Sequence, residues 1–167
     1  MKARHAASQG VMLLAVVLSL SCLTPANAGE YDAALQGVTT ADAVFDFRIG
    51  APPSALSHMQ LVHQTYRELG DLKIKRAVVV IFIGPSVKLV SKNRDGFSAE
   101  DQKTLDALAA TIAQMEKDGI RFELCGVAAQ VFKVDTNSLL PQIKVVTNGW
   151  VSEIGYQARG YALVPAY

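Results

Sequence analysis

The amino-acid sequence predicts an α/β domain: three layers, α/β/α, around a mostly parallel five-stranded sheet. Three observations predict it. Short runs rich in Val, Ile and Phe alternate with segments of helical period, in the order β-α-β-α-β-α-β-α-β. Residues 76–84 (RAVVVIFIG) are apolar without alternation, as in a parallel strand covered on both faces. A helix's length of chain separates most strands, which within one sheet means right-handed crossovers and helices on both faces.

The elements follow in order. Residues 42–50 (DAVFDFRIG) read as the first strand, with Val44, Phe45, Phe47 and Ile49 set among polar positions. Pro52 and Pro53 suit a helix start and Gly70 its end. Between them Leu56, Met59, Val62, Tyr66 and Leu69 recur at helical spacing. The second strand, 76–84, leads into a long mixed connection, 85–96. The next helix has the clearest signals. Ser98 can cap it, and Glu100 and Asp101 favour its positive end. Leu105, Leu108, Ile112 and Met115 form its buried stripe, and Gly119 stops it. The third strand is 120–125, followed by a short helix near 127–133. The fourth strand is 143–146 (IKVV), the last helix 150–159, and the closing strand 161–167 (YALVPAY).

The N-terminus reads as an export leader, residues 1–28. Lys2 and Arg4 supply a positive start, residues 11–20 a short apolar run, and Ala26-Asn27-Ala28 a cleavage site ahead of Gly29. The apolar run is short of the ~20 residues that span a bilayer. A competing reading cleaves before Cys22 and lipidates it, but the preceding Ser19-Leu20-Ser21 lacks a leucine three places ahead of the cysteine. Residues 29–41, small and polar, read as an extended arm, and 42–167 as the domain. Removal of the leader leaves 139 residues, one ordinary domain, in a periplasmic or secreted location. It also leaves 14 basic against 15 acidic residues, a balance that gives no support for binding nucleic acid or an acidic membrane.

Cleavage after Ala28 leaves Cys125 as the one cysteine, so no intramolecular disulfide is possible. A lone thiol in an oxidising compartment must be buried, paired with another chain, or used chemically. Ligands of open α/β sheets bind outside the carboxyl ends of the strands. Three stretches should meet there: Gly84-Pro85-Ser86, Cys125-Gly126 and Thr147-Asn148-Gly149. Cys125 would then face the first turn of the next helix, where unpaired N–H groups favour a thiolate, the nucleophilic form. Against this stands the inert reading, since free cysteine is among the most buried residue types.

Other candidates carry less. His58 and His63, five apart on one helix, do not share a face, so no metal pair is expected; both read as solvated or half-buried. Gly84-Pro85-Ser86 lacks the Gly-Lys-Ser/Thr ending of a phosphate loop, and neither G-x-G-x-x-G nor G-x-S-x-G occurs. Lys88, Lys92 and Arg94 give the long connection a positive, solvated face, and Asp135 suits a turn cap.

Three segments together resemble the DsrE/DsrF-like proteins: RAVVVIFIGPSVKLV, then KDGIRFELCGVAAQ, then SLLPQIKVVTNGWVSEIGYQARGYALVPAY. The motifs are a hydrophobic strand into Gly-Pro, a strand ending in a single Cys, and a Leu-Pro segment leading to a Gly-Tyr C-terminal strand. The resemblance covers most of 42–167. It implies a three-layer domain that forms homo- or hetero-oligomers, with a cysteine at the position of Cys125 that carries a persulfide in sulfur relay. The chain departs in two respects. It carries a leader, whereas the best-known members act inside the cell. It also has Ile83 ahead of Gly84-Pro85, where many relatives carry a polar residue, often histidine, so one potential partner for a thiolate is missing.

The resulting expectation is an exported sulfur-handling protein that holds sulfane sulfur on Cys125, with the Gly126 and Val127 amides stabilising the anion. Gly84, Pro85, Asn148 and Gly149 would line the site, with no cofactor or metal. Its partners would be sulfur donor and acceptor proteins or small sulfur species, and a second copy of itself; no nucleic acid, and no membrane after cleavage. Two alternatives stay open: a non-catalytic oligomeric module that binds a ligand or partner, and a thiol redox sensor. The C-terminal aromatics Trp150, Tyr156, Tyr161 and Tyr167 are the expected interface.

Overall fold

A computed structural model describes Gly29 and residues 31–167. The expected leader, residues 1–28, with its Cys22, lies outside the described residues. Among the described residues no helix is long and apolar enough to cross a membrane.

Five strands form one sheet: β1 (Ala43–Phe47), β2 (Val78–Phe82), β3 (Arg121–Cys125), β4 (Ile143–Val146) and β5 (Ala162–Ala166). Their order is β4-β3-β2-β1-β5, and every pairing is parallel. The register sets Asp46 beside Ile81 and Pro165, and Ile81 beside Glu123. Pro165 is tolerated because β5 is an edge strand, where one flank needs no ladder bond. The helices are α1 (Asp32–Leu35), α2 (Pro52–Asp71), α3 (Ala99–Lys117), α4 (Gly126–Val131) and α5 (Gly149–Ala158).

Strand order dictates where the helices go. The chain steps from β1 to β2 to β3 to β4 in one direction, then returns past all of them to β5. Right-handed crossovers therefore put α2, α3 and α4 on one face and α5 alone on the other. Met59 and Val62 of α2 and Leu105, Leu108, Ile112 and Met115 of α3 are buried on the first face. Phe47, Phe82 and Phe122 line up across neighbouring strands, with an edge-on contact between the first two rings at 5.5 Å and a stacked one between the last two at 6.3 Å. Ser98 caps α3 by accepting from the Asp101 amide, as its position implied.

Two expectations need correction, for residues 29–41 and for His63, and one burial was not anticipated. Residues 29–41 are not wholly extended: α1 occupies Asp32–Leu35, and Thr40 bridges Lys75 ahead of the β1–β2 ladder. The polar position within the first strand, Asp46, does not face water. It is buried, because β1 lies inside the sheet between β2 and β5 and beneath α5. His63 is neither solvated nor half-buried; it is buried and bonded through Nε2 to Asp118 Oδ2 at 2.6 Å, tying α2 to the end of α3. The long connection after β2 contains a 3₁₀ turn, Gly84–Val90, anchored by the Ser86 hydroxyl beside the Phe47 carbonyl at 2.7 Å.

Candidate functional site

Cys125 ends β3 and immediately precedes α4. It is 5 % exposed. Because side chains alternate along a strand, Cys125 shares the α5 face of the sheet with Glu123 and Arg121. The first residue of α5 lies against it. A Cβ added at Gly149 would sit 2.9 Å from Cys125 Cβ and 2.9 Å from Ile83 Cδ1, closer than such atoms approach. Glycine at 149 is thus the condition for α5 to close on β2 and β3. Cys125, Ile83 and Gly149 form one small apolar enclosure.

The other predicted site residues distribute differently. Asn148 is the N-cap of α5: its Oδ1 accepts from the Trp150 amide at 3.0 Å, so its side chain serves the helix. Gly84 has a positive φ of 65°, which a side chain would strain, and it turns the chain so that Pro85 packs on Gly50 after β1. Gly84 and Pro85 therefore shape the strand ends while Ile83 makes the contact near the thiol. Gly126 opens α4 against the backbone of Val146 and Thr147. The Val127 amide was expected to be free for a sulfur anion. It donates to the Thr147 carbonyl at 3.2 Å, because α4 and the segment after β4 pack side by side, and that donor is already engaged.

Sequence reasoning missed the acids beneath α5. Asp46, Glu123 and Glu153 are all buried. Arg48 Nε donates to both oxygens of Asp46, at 2.9 and 2.8 Å. Glu123 accepts from the Ser152 hydroxyl, and from the Tyr156 hydroxyl at 2.8 Å. Glu153, 7 % exposed, lies against Asp46 and leaves Oε1 buried with no hydrogen-bond partner. Burial first, and the negative Asp46 second, push the Glu153 carboxyl up from 4.5 to about 7; Arg48 only partly opposes them. Burial and the bond to Glu123 likewise raise the Tyr156 hydroxyl. A signal for this layer was present. Asp46 and Glu123 each interrupt an apolar strand, and Glu153 falls one helical turn after Gly149, on the face that must meet the sheet.

α5 is inside-out as a result. Its buried residues are Gly149 and Glu153, while Trp150, Val151 and Ile154 are 58 %, 65 % and 65 % exposed.

Elsewhere, a polar cleft of about 380 Å³ lies between the 3₁₀ turn and the end of α4, edged by Lys88, Lys133, Asp95 and Asp135. Its charges are mixed, and Lys88 stands over the Phe132 ring at 5.3 Å. Arg94 is drawn back onto the Ser91 carbonyl at 2.7 Å, so the basic residues do not form one positive face. Asp135 caps the turn that follows, accepting from the Asn137 amide at 2.9 Å, as expected. Among the described residues no group of three or more His, Cys, Asp or Glu side chains is arranged to hold a metal ion.

Comparison with known proteins agrees with this architecture. The profile of the DsrE/DsrF-like family matches residues 38–165. The fold is similar to that of the protein of unknown function MTH1491 from Methanobacterium thermoautotrophicum, at 16 % identity over 75 % of this chain and 98 % of that one, with a TM-score of 0.60. It is also similar to the ychN protein from E. coli, at 14 % identity over 76 % of this chain and 99 % of that one, with a TM-score of 0.50. At those identities the likeness is one of fold. No curated protein matches the chain in sequence.

Proposed function

The chain belongs to the DsrE/DsrF-like family, which is associated with sulfur relay, and from that premise we propose that it carries sulfane sulfur as a persulfide on Cys125. The observation that supports this reading is the place of Cys125: the carboxyl end of β3, where ligands of open α/β sheets bind, at the junction of α4 and α5. Loading begins with the Cys125 thiolate attacking the outer sulfur of a donor persulfide. A bond forms from Cys125 Sγ to that sulfur, and the donor leaves as a thiolate. In delivery an acceptor thiolate attacks the same sulfur. The new S–S bond forms on the acceptor, and the electron pair of the broken bond returns to Cys125 Sγ. No net oxidant is needed.

The leader-like pattern of residues 1–28 supports action outside the cytoplasm, with donor and acceptor thiols or small sulfur species as partners. The apolar outer face of α5 supports a homo-oligomer. Intact mass tests the reading. Protein incubated with polysulfide should gain about 32 Da per sulfur atom, in a form removed by reductant. The Cys125→Ser variant should gain nothing. Equal uptake by that variant would refute the assignment.

A second reading has its own support. Cys125 is buried against Ile83 and Gly149, which suits a packing role within an oligomeric module that binds a ligand or partner. In that case wild-type protein takes up no sulfur, and Cys125 alkylates only after unfolding. A redox sensor would instead accumulate a mixed disulfide on Cys125.

A further inference from the structure

A relay thiol that is 5 % exposed must be uncovered for a second sulfur to reach it in line. Gly149 of α5 is against the thiol, so the question is what holds α5 down. Its underside makes polar contacts with the sheet: Ser152 and Tyr156 with Glu123, and Glu153 with Asp46. Glu153 lies one turn after Gly149, on the same helix face. Of these contacts, only that between Glu153 and Asp46 sets one carboxyl against another.

We propose that the Glu153–Asp46 carboxyl contact is the latch that keeps α5 seated over Cys125, which makes Glu153 a positioning residue for sulfur traffic through that thiol. The role in traffic rests on the sulfur-relay reading; the latch itself does not.

Two buried carboxyls, Asp46 holding the one guanidinium of Arg48 and Glu153 keeping a buried oxygen that no donor reaches, close comfortably only while one holds a proton. The groups facing Glu153 are few. From β1 comes Asp46, and from just beyond it Arg48. From β3 comes Glu123, with Arg121 further along bonded to Tyr161 at 3.0 Å. β2 and β5 contain no titratable side chain. Tyr167, just beyond β5, acts on Arg48, and Tyr156 of α5 itself is engaged with Glu123. None of these places a second cation on Glu153.

The sign follows from linkage. Seated, Glu153 releases its proton at about pH 7; lifted into water, it would do so near 4.5. Between those values the lifted state binds fewer protons, so lifting becomes easier by up to about tenfold per pH unit and levels off above pH 7. Acid keeps α5 seated, and neutral pH loosens it.

Alkylation of Cys125 by iodoacetamide in the full chain reads the latch, with each rate divided by that of the same protein in denaturant at the same pH. In the wild type the ratio should rise by about tenfold or more from pH 5 to pH 7 and then flatten, by that linkage. Glu153→Gln keeps the shape and the contact but cannot ionise, so its ratio should stay low and flat. A flat wild-type profile, or an unchanged slope in the variant, would overturn the latch. Hydrogen exchange of the wild type gives an independent reading: protection of the α5 amides, corrected for intrinsic rate, should fall over the same interval, and constant protection would also overturn it. A protein with this profile that takes up no sulfur retains the latch and loses the relay. One that takes up sulfur with a flat profile retains the relay and loses the latch.

Discussion

Gly149 and Cys125 touch across the seam between α5 and β3: a Cβ on the first would lie 2.9 Å from the Cβ of the second. Substituting the cysteine side chain by serine leaves that Cβ in place, so the contact constrains residue 149 whatever the sulfur does. The Gly149→Ala variant should lose about 1–3 kcal/mol, the usual range for overpacking, with no offset from helix propensity at a first-turn position. Urea denaturation measures it. A variant as stable as wild type would show that α5 has slack over the thiol.

Tyr156 supports the same helix from its other end. Its hydroxyl donates to Glu123, 2.8 Å away on the buried face of β3. Tyr156→Phe leaves that acceptor short of a donor and should cost about 1–3 kcal/mol. Sulfur uptake at Cys125 should persist under native conditions, since neither group touches the thiol. Denaturation and intact mass on the same sample separate the two effects; loss of uptake with stability unchanged would assign Tyr156 a chemical role instead.

Glu153 makes global stability depend on pH in an unusual direction for a carboxylate. Its folded value, about 7, lies above its ordinary value of 4.5. The stability it contributes is fully present below pH 4.5, declines as pH rises to about 7, and is constant beyond. Glu153→Gln removes that dependence. The variant should match wild type near pH 4.5 and exceed it increasingly up to pH 7, in urea midpoints taken at a series of pH values. A difference that does not change with pH would show that folding leaves the proton affinity of the Glu153 carboxyl unchanged.

Local patterns carried most of the fold. The unbroken run at 76–84 demanded a strand covered on both faces, and β2 lies in the middle of the sheet. Ser98 and Gly119 bracketed α3, and residues 143–146 matched β4. What local pattern could not supply was which face of a strand is wet. Asp46 reads as a solvent-facing position in AVFDF, and only the return of the chain to β5, with α5 crossing above, buries it. The acid layer is a product of that long-range step. So is the inversion of α5, where Glu153 turns inward and Ile154 outward against the usual preference. Cys125 was legible because it ends a strand. So was its meeting with Gly149, beyond the neighbouring strand end; that Ile83 and Gly149 close on the thiol tightly enough to bury it was not, since that depends on how α5 seats across the sheet.

Inversion of α5 also bears on the proposed self-association. A helix that among the described residues is the sole cover of one sheet face, yet shows Trp150, Val151 and Ile154 to solvent at 58 %, 65 % and 65 %, leaves an apolar surface that water disfavours. An aromatic anchor such as Trp150, once buried by a partner, is the kind of residue that dominates a protein interface, worth on the order of 2 kcal/mol or more, and a charge set into the apolar patch beside it should cost about as much. If two copies pair through α5, Val151→Asp or Ile154→Asp should weaken association by roughly thirtyfold or more, the equivalent of about 2 kcal/mol. Light scattering across a micromolar dilution series should find the wild type assembled and each variant monomeric. The variants should unfold no more readily than wild type at concentrations where both are monomers, because neither side chain contributes to the core. A wild type that is monomeric throughout, or a variant that assembles as well as wild type, would place the interface elsewhere or remove it.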